Sequence, residues 1–356
     1  MKILLATITT PFIDGGAEYL IHGLHRALSQ VGHAVARISI PFRFGPLEQV
    51  WRSIQLWESE DLTLLNGQEA DRVICFQFPA YYLNHPSKAL WLLHQYRVAY
   101  DLWDTPFGAQ FRQDSGATLL RESIIEKDTI NLARCSPRLT IAANVSARLE
   151  RYNGIPSLPV YHPPYMAERF YCTSPEAYVF VPSRLEETKR QELAIRAMKY
   201  VTTGLIAVIC GEGGQRQKLE QLTEELQLRD RVKFLGKVSE EEKLGLYAHC
   251  LCVFFGPFDE DYGYVTLEAM LAAKPVVTCL DSGGPLEFVV HEQTGLVVEP
   301  SPDAIAHAFD SLNANRQNAA AMGRHALAHY SDLRISWESI LCKLTDADAA
   351  SSVRNL

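Results

Sequence analysis

No stretch of the chain reaches the roughly 18 to 20 consecutive apolar residues that a membrane-spanning helix needs, so no span is expected. Positive charge is not in excess either. Lys and Arg number 34 against 42 Asp and Glu, a formal net charge of -8 with a pI near 5.8. That balance argues against a nucleic-acid surface and against a polybasic membrane patch, while leaving room for a local basic pocket. A cysteine framework is also missing: Cys75, Cys135, Cys172, Cys210, Cys250, Cys252, Cys279 and Cys342 are scattered, most of them in apolar runs where a thiol behaves as a small buried hydrophobe. Cys250 and Cys252 lie two apart on an apolar run with no second Cys or His pair at ligand spacing, so no metal site is expected. The full G-x-G-x-x-G fingerprint is absent. Gly211-Glu212-Gly213-Gly214 and Gly15-Gly16 each hold part of it, which disfavours an NAD-dependent dehydrogenase. The apolar run in Met1 to Ala6 is too short for a signal peptide and reads as the first strand of a cytoplasmic protein.

What the sequence does contain is material for two cores. Its 356 residues exceed one ordinary core and suit two domains of roughly 150 to 200 residues. Hydrophobic residues at 47% and charged residues at 21% are those of a folded chain, with the polar tail 346–356 the one stretch expected to be disordered. Residues 2–8, 17–31 and 34–40 read as strand, helix and strand, a βαβ unit that sets Gly15-Gly16 at the carboxyl end of the first strand. Open parallel sheets bind ligands there, and free N–H groups at a helix start favour an anion such as a diphosphate, although a plain turn explains Gly15-Gly16 as well. Leu47, Val50, Trp51, Ile54 and Trp57 share one helical face, either core or membrane- and acceptor-facing. Strands at 72–78 and 89–93 follow, the second ending in His94, a site candidate on position alone. A helix at 123–133, a strand at 139–142 and a helix at 146–152 lead to Pro156, Pro159, Pro163, Pro164 and Pro175, which resist helix and central strand and mark a linker.

A second strand-loop-helix series begins at 178–182. The loop 183–190 carries Arg184 and Lys189. The strand 205–210 ends in Gly211 to Gly214, the strand 232–235 in Gly236, and the apolar run 250–255 leads into Glu260, Gly263 and a helix with Leu267, Met270 and Leu271 at helical spacing. Further helices are expected at 215–226, from 239, at 303–312 and at 324–328. The polar residues thus cluster at strand ends. Two cations five apart can neutralise a diphosphate, the helix start at Gly263 adds N–H donors, and an ionised carboxylate, which only accepts, suits vicinal hydroxyls of a sugar or ribose.

These residues carry a resemblance. Glu260-Asp-Tyr-Gly-Tyr-Val-Thr-Leu-Glu268-Ala-Met resembles the Glu-x7-Glu motif of family 4 retaining glycosyltransferases, which have the GT-B fold (glycosyl transferases group 1). Val181-Pro-Ser-Arg184-Leu with Lys189, Cys210-Gly-Glu-Gly213, Val232-Lys-Phe-Leu-Gly236, Lys274-Pro-Val-Val, Ser282-Gly-Gly-Pro-Leu-Glu287 and the opening Gly15-Gly-Ala-Glu18 resemble that family in its order. The resemblance implies an α/β chain of two doubly wound Rossmann-like domains facing each other across a cleft. They would be 1–170 for the acceptor and 171–330 for the nucleotide sugar, with 331–356 a helix packing back on the first domain plus the polar tail. Arg184 and Lys189 would hold the donor diphosphate, Glu260 the sugar hydroxyls and Glu268 the ribose. Gly263, Tyr264 and Val265 would offer backbone amides, and Gly211, Gly213, Gly236, Lys237 and Val238 would line the nucleotide. His94, Gly15 and Gly16 would approach from the first domain. Asp261 stands where glycine is common in the motif.

The implied reaction is transfer of a hexose-type sugar with retention, from a UDP- or GDP-linked donor to a hydroxyl of a saccharide, lipid-linked or small-molecule acceptor. No cofactor or metal would be needed, and the setting would be cell-surface polysaccharide, glycolipid or glycoconjugate synthesis. The protein would be cytoplasmic, with weak peripheral contact at the inner membrane face allowed. Two alternatives stay open: a sugar-nucleotide epimerase of the same fold, and a two-lobed ligand-binding protein.

Overall fold

The structure, a computed structural model, describes residues 1–12 and 15–345, so the tail expected to be disordered lies outside the described residues. The chain divides into two compact units: Met1–Tyr165 together with the stretch from Ser336 onward, and Met166–Ile335. Met166, with φ 55, opens a short 3-10 turn, Ala167–Arg169, at the start of the second unit. The helix expected at 324–328 runs as Arg316–Asp332, its alanine-rich sequence favouring helix well beyond the apolar stripe.

In the first unit a parallel sheet runs in the order Ala34–Pro41, Lys2–Thr9, Arg72–Gln77, Lys88–His94, Arg138–Thr140, Leu158–Pro159. Its central strands are buried on both faces, as near-continuous apolar runs such as Val73-Ile74-Cys75-Phe76 require. The helix Gly16–Gln30 buries Leu20, Ile21, Leu24 and Leu28. In the helix Leu47–Ser59, Leu47, Val50, Ile54 and Trp57 are buried and Trp51 is half-buried, so this stripe faces the core rather than a membrane or acceptor. The helix expected at 123–133 begins at Ala117, where Ala117 and Leu120 add a buried turn. The helix Trp337–Thr345 belongs to this unit. Trp337 stacks on His162 and meets Trp91 edge-on, and a Cβ on Gly23 would lie 2.2 Å from its ring, so the glycine makes room for the tryptophan.

The second unit has a parallel sheet in the order Val232–Gly236, Ile206–Cys210, Tyr178–Pro182, Cys252–Phe254, Val276–Cys279, Gly295–Val298. Alternation of side chains divides its apolar residues between two cores. Val179 and Val181 join Ala207 and Ile209 under the helices Gln191–Ala197, Arg216–Glu225, Pro302–Ala314 and Arg316–Asp332. Tyr178 and Phe180 join Val208 and Cys210 under the helices Glu240–His249 and Tyr264–Leu271. The chain order reverses beside Tyr178–Pro182: its next two strands lie on one side and the fourth, Cys252–Phe254, on the other. Such a reversal leaves a crevice outside the carboxyl ends of the two flanking strands.

Candidate functional site

Two loops leave that reversal, 183–190 after Tyr178–Pro182 and 255–263 after Cys252–Phe254. Lys189 and Glu260, one from each, meet as an ion pair with side chains 15% and 18% exposed. The Lys189 ammonium also lies 5.8 Å from the Phe255 ring centroid. Backbone bonds lace the loops together. The Phe258 N–H donates to the Thr188 carbonyl at 2.7 Å, that of Asp259 to Asp281 at 2.8 Å and that of Glu260 to Ser282 at 2.8 Å. Gly284 returns a bond to the Glu260 carbonyl at 2.7 Å, and Glu260 pairs with Gly283 as a short parallel bridge that also holds Asp261 close to the turn. Glu260 is therefore positioned by its own backbone as well as by Lys189. Arg184, by contrast, is half exposed, with Glu186 3.9 Å away.

Gly263, at φ 84, ends the loop and opens the helix Tyr264–Leu271, which no side chain caps. Pro285 and Phe255 crowd the place of a Cβ at Gly263, so backbone and packing both call for glycine. The first N–H groups of Tyr264 and Val265, with the positive end of the helix dipole, lie where the loop delivers Glu260. One turn on, Glu268 is buried. The Tyr247 hydroxyl donates to its Oε2 at 2.6 Å and the Lys243 ammonium to its Oε1 at 3.3 Å, and Lys243 also pairs with Glu240 at 2.9 Å. Burial alone would pull the Lys243 ammonium down, but Glu268 and Glu240 together push it above its ordinary value. Burial, and then the Glu268 charge, push the Tyr247 phenol up. The helix that supplies Lys243 and Tyr247 also lines a groove of about 610 Å³ with Leu246, and Lys237 and Val238 stand on its wall beside Leu235 and Val208.

Gly211 and Gly213 stand where two loops approach closely. A Cβ on Gly211, at φ 132, would lie 1.9 Å from the Ser183 carbonyl oxygen, and one on Gly213 2.4 Å from that of Leu185. They let the loop after Ile206–Cys210 lie flat against the loop that carries Arg184, where the Leu185 N–H donates to the Glu212 carbonyl at 2.8 Å. Gly236 closes the neighbouring strand, its carbonyl accepting from Gly211 at 2.8 Å and Arg216 lying across it.

In the first unit His94 ends the strand Lys88–His94, half-buried, with Nδ1 2.8 Å from the Gln95 carbonyl. A carbonyl oxygen only accepts, so Nδ1 is the donor of that bond. Gly15 caps the helix that Gly16 opens, in extended backbone that any residue adopts, and a Cβ there would meet nothing within 4 Å. Glu18, one turn on, is held by Arg37 through two bonds of 2.6 and 2.7 Å, which keeps its carboxyl below the ordinary range.

Arg190, Asp281, Lys243 and Tyr247 do not stand out in the sequence. Arg190 finds its partners 66 to 91 positions away, and no local spacing marks such a contact. Lys243 and Tyr247 fall at i and i+4 on a helix and share Glu268, a pairing visible only once the carboxylate is placed. Among the described residues no group of three or more His, Cys, Asp or Glu is gathered as a metal would need, and no helix is long and apolar enough to cross a membrane.

Residues 173–329 match the family described as Glycosyl transferases group 1. Over 107 residues the chain is 36% identical to alpha-1,3/1,6-mannosyltransferase ALG2 of Mus musculus, covering 30% of this chain and 26% of that protein. Over 178 residues it is 33% identical to the GDP-mannose-dependent alpha-(1-6)-phosphatidylinositol monomannoside mannosyltransferase of Mycobacterium tuberculosis, covering 46% and 45%. The chain spans about a quarter to a half of the length of these curated relatives. Among solved structures it is similar to sucrose-phosphate synthase from Thermosynechococcus elongatus, with a TM-score of 0.76 at 19% identity over 95% of this chain and 96% of that one. It is also similar to HepE of Anabaena in complex with UDP-glucose, with a TM-score of 0.69 at 20% identity over 99% and 100%. At such identity the likeness shows the fold: GT-B, with two Rossmann-like domains.

Proposed function

We propose, because residues 173–329 match the glycosyl transferases group 1 family, that the chain is a retaining glycosyltransferase of family 4 type. It moves a hexose from a nucleotide-diphosphate sugar to a hydroxyl of a saccharide, lipid-linked or small-molecule acceptor. The observation that carries this reading is the meeting of Lys189 and Glu260 at the carboxyl ends of the two strands that flank the sheet reversal. A cation and a carboxylate fixed side by side there suit a ligand that is anionic at one end and hydroxylated at the other.

In this reading Lys189 and the exposed Arg184 receive the diphosphate, with the helix start at Gly263, Tyr264 and Val265 offering backbone amides. Glu260 accepts from sugar hydroxyls. Glu268, its remaining lone pairs oriented by Tyr247 and Lys243, accepts from the ribose, and Lys237 and Val238 line the base. The bond from the anomeric carbon to the diphosphate oxygen breaks as the acceptor oxygen bonds to the same face of that carbon. The acceptor proton passes to the departing phosphate. The cations stabilise the charge that grows on the leaving group, which is where they lower the barrier. Glu260 binds rather than attacks, because its carboxylate is committed to Lys189 and hydroxyls. The reading rests on the second unit alone. GDP-mannose is the first donor to test, since the Mycobacterium tuberculosis relative is GDP-mannose-dependent.

The test is calorimetric binding of GDP-mannose and UDP-glucose to the full chain, followed by nucleoside-diphosphate release and then transfer to an acceptor panel. Lys189→Ala and Glu260→Ala should each lower transfer by about 100-fold or more, the size expected for a lost preorganised charge, with an unchanged melting temperature. Wild-type turnover in either variant would sink the proposal, and release of a free epimerised nucleotide sugar would replace transfer with epimerisation.

A further inference from the structure

Arg190 holds a backbone conformation that residues with a Cβ rarely take, φ 50 and ψ 41, between the turn Glu187–Lys189 and the helix Gln191–Ala197. A left-handed residue of this kind is disfavoured against glycine and persists where surrounding contacts over-determine it. Here the contacts belong to the side chain. The guanidinium, 11% exposed, donates from Nε to the Gly256 carbonyl at 2.9 Å and from Nη2 to the Pro257 carbonyl at 2.8 Å. It also makes a two-pronged pair with Asp281, Nη1 to Oδ2 at 2.8 Å and Nη2 to Oδ1 at 2.6 Å. Its Cζ stands 5.7 Å from the Phe258 ring centroid.

One side chain thus joins three segments: the loop that carries Lys189, the loop that carries Glu260, and the turn whose Asp281 and Ser282 carbonyls accept from Asp259 and Glu260. We infer that Arg190, braced by Asp281, is a positioning residue that sets Lys189 and Glu260 against each other for the donor, an assignment that rests on the nucleotide-sugar reading above. The left-handed turn at Arg190 fixes the direction from which Lys189, its neighbour, leaves the chain. The fork fixes Gly256 and Pro257, the first part of the loop that delivers Glu260. A lysine at this position would be a point charge and could not span two carbonyls and both oxygens of a carboxylate at once.

Glycine suits φ 50 without strain, so Arg190→Gly removes the fork while easing the backbone. If Arg190 mattered only for its turn, this variant would match or exceed wild type. The expected result in the full chain is a folded Arg190→Gly protein whose backbone amides in 255–263 exchange hydrogen at least about tenfold faster than wild type with no ligand present. With GDP-mannose or UDP-glucose its kcat should fall by about 100-fold, the usual size of a small misplacement, and donor KM should move by no more than about threefold. Arg190→Lys should not restore kcat, and Asp281→Asn should lie between. Wild-type exchange and turnover in Arg190→Gly overturn the inference. Should Arg190→Gly fail to fold, Asp281→Asn carries the same exchange readout, and unchanged protection there overturns it equally. If wild-type protein binds neither nucleotide sugar, the proposed function fails, and with it the donor role, while the exchange comparison still decides whether Arg190 holds the loops.

Discussion

Replacing Asp128 by asparagine should remove a loss of stability that the native first unit suffers as pH rises from about 4 to about 7. Asp128 is fully buried on the helix Ala117–Ala133 and accepts hydrogen bonds from the hydroxyls of Tyr81 at 2.9 Å, Tyr82 at 2.6 Å and Tyr100 at 2.7 Å. Burial pushes its carboxyl up from 3.8 to about 7, with the three hydroxyls pulling the other way. The tyrosines are themselves pushed far above their ordinary range by burial and stay protonated throughout. In the window between the two values the folded protein holds a proton that the unfolded chain has released. Stability is therefore full below about 4, falls through the window, and levels off above about 7. At about 1.4 kcal/mol for each pH unit, the interval from 3.8 to about 7 amounts to about 4 kcal/mol. Asparagine keeps one acceptor oxygen, which suits Tyr81 and Tyr82, sets an amide donor against Tyr100 and does not titrate, so the difference between variant and wild type should move with pH by about that much in the variant's favour. All five tryptophans, Trp51, Trp57, Trp91, Trp103 and Trp337, lie in the first unit. Tryptophan fluorescence during urea unfolding at a series of pH values therefore reports on that unit. A difference that stays flat within about 1 kcal/mol from about pH 4 to 8 would refute the reasoning, because a gap of a single pH unit between the folded and unfolded values already contributes that much.

Two further perturbations address the second unit. Tyr247→Phe removes a buried hydroxyl that donates to a carboxylate and should cost about 1.5 to 3 kcal/mol, seen as a lower calorimetric melting temperature and weaker nucleoside-diphosphate binding. An unchanged melt would mean that Lys243 alone satisfies Glu268. Gly211→Ala would force a Cβ into the Ser183 carbonyl at a φ of 132 and should lower stability by more than about 2 kcal/mol, read from the urea midpoint followed by far-ultraviolet circular dichroism. Tolerance of alanine there would show that the two loops part easily.

Much of the fold was legible because its signals are local. The apolar runs at 178–182 and 276–279, each bounded by turn residues, are strands of a sheet buried on both faces, and the helix face of Leu20, Ile21, Leu24 and Leu28 repeats at helical spacing. Elements whose support comes from elsewhere read short or stay open. The helix Arg316–Asp332 has small residues where a stripe would show, and the face of Leu47, Val50, Ile54 and Trp57 reads as core with a membrane contact still open until its neighbours are placed.

The candidate site divides in the same way. Lys189, Glu260 and Gly263 stand out because a charged or glycine residue in the loop after an apolar strand is a local pattern, and Glu268 because it follows Glu260 by eight positions in an apolar helix. The ion pair of Lys189 with Glu260 spans 71 positions, and the separate environments of Glu260 and Glu268 depend on which helix and loop reach each carboxylate. Arg190 is the extreme case: an ordinary basic residue in sequence, it takes a left-handed turn and gathers Gly256, Pro257 and Asp281 only when the sheet reversal sets their loops side by side. Which residues carry charge, turn and apolar face at each strand end is settled along the chain, because those properties depend on neighbours in sequence. Which charges meet, and how firmly each is held, is settled only by folding, because burial and pairing depend on neighbours in space.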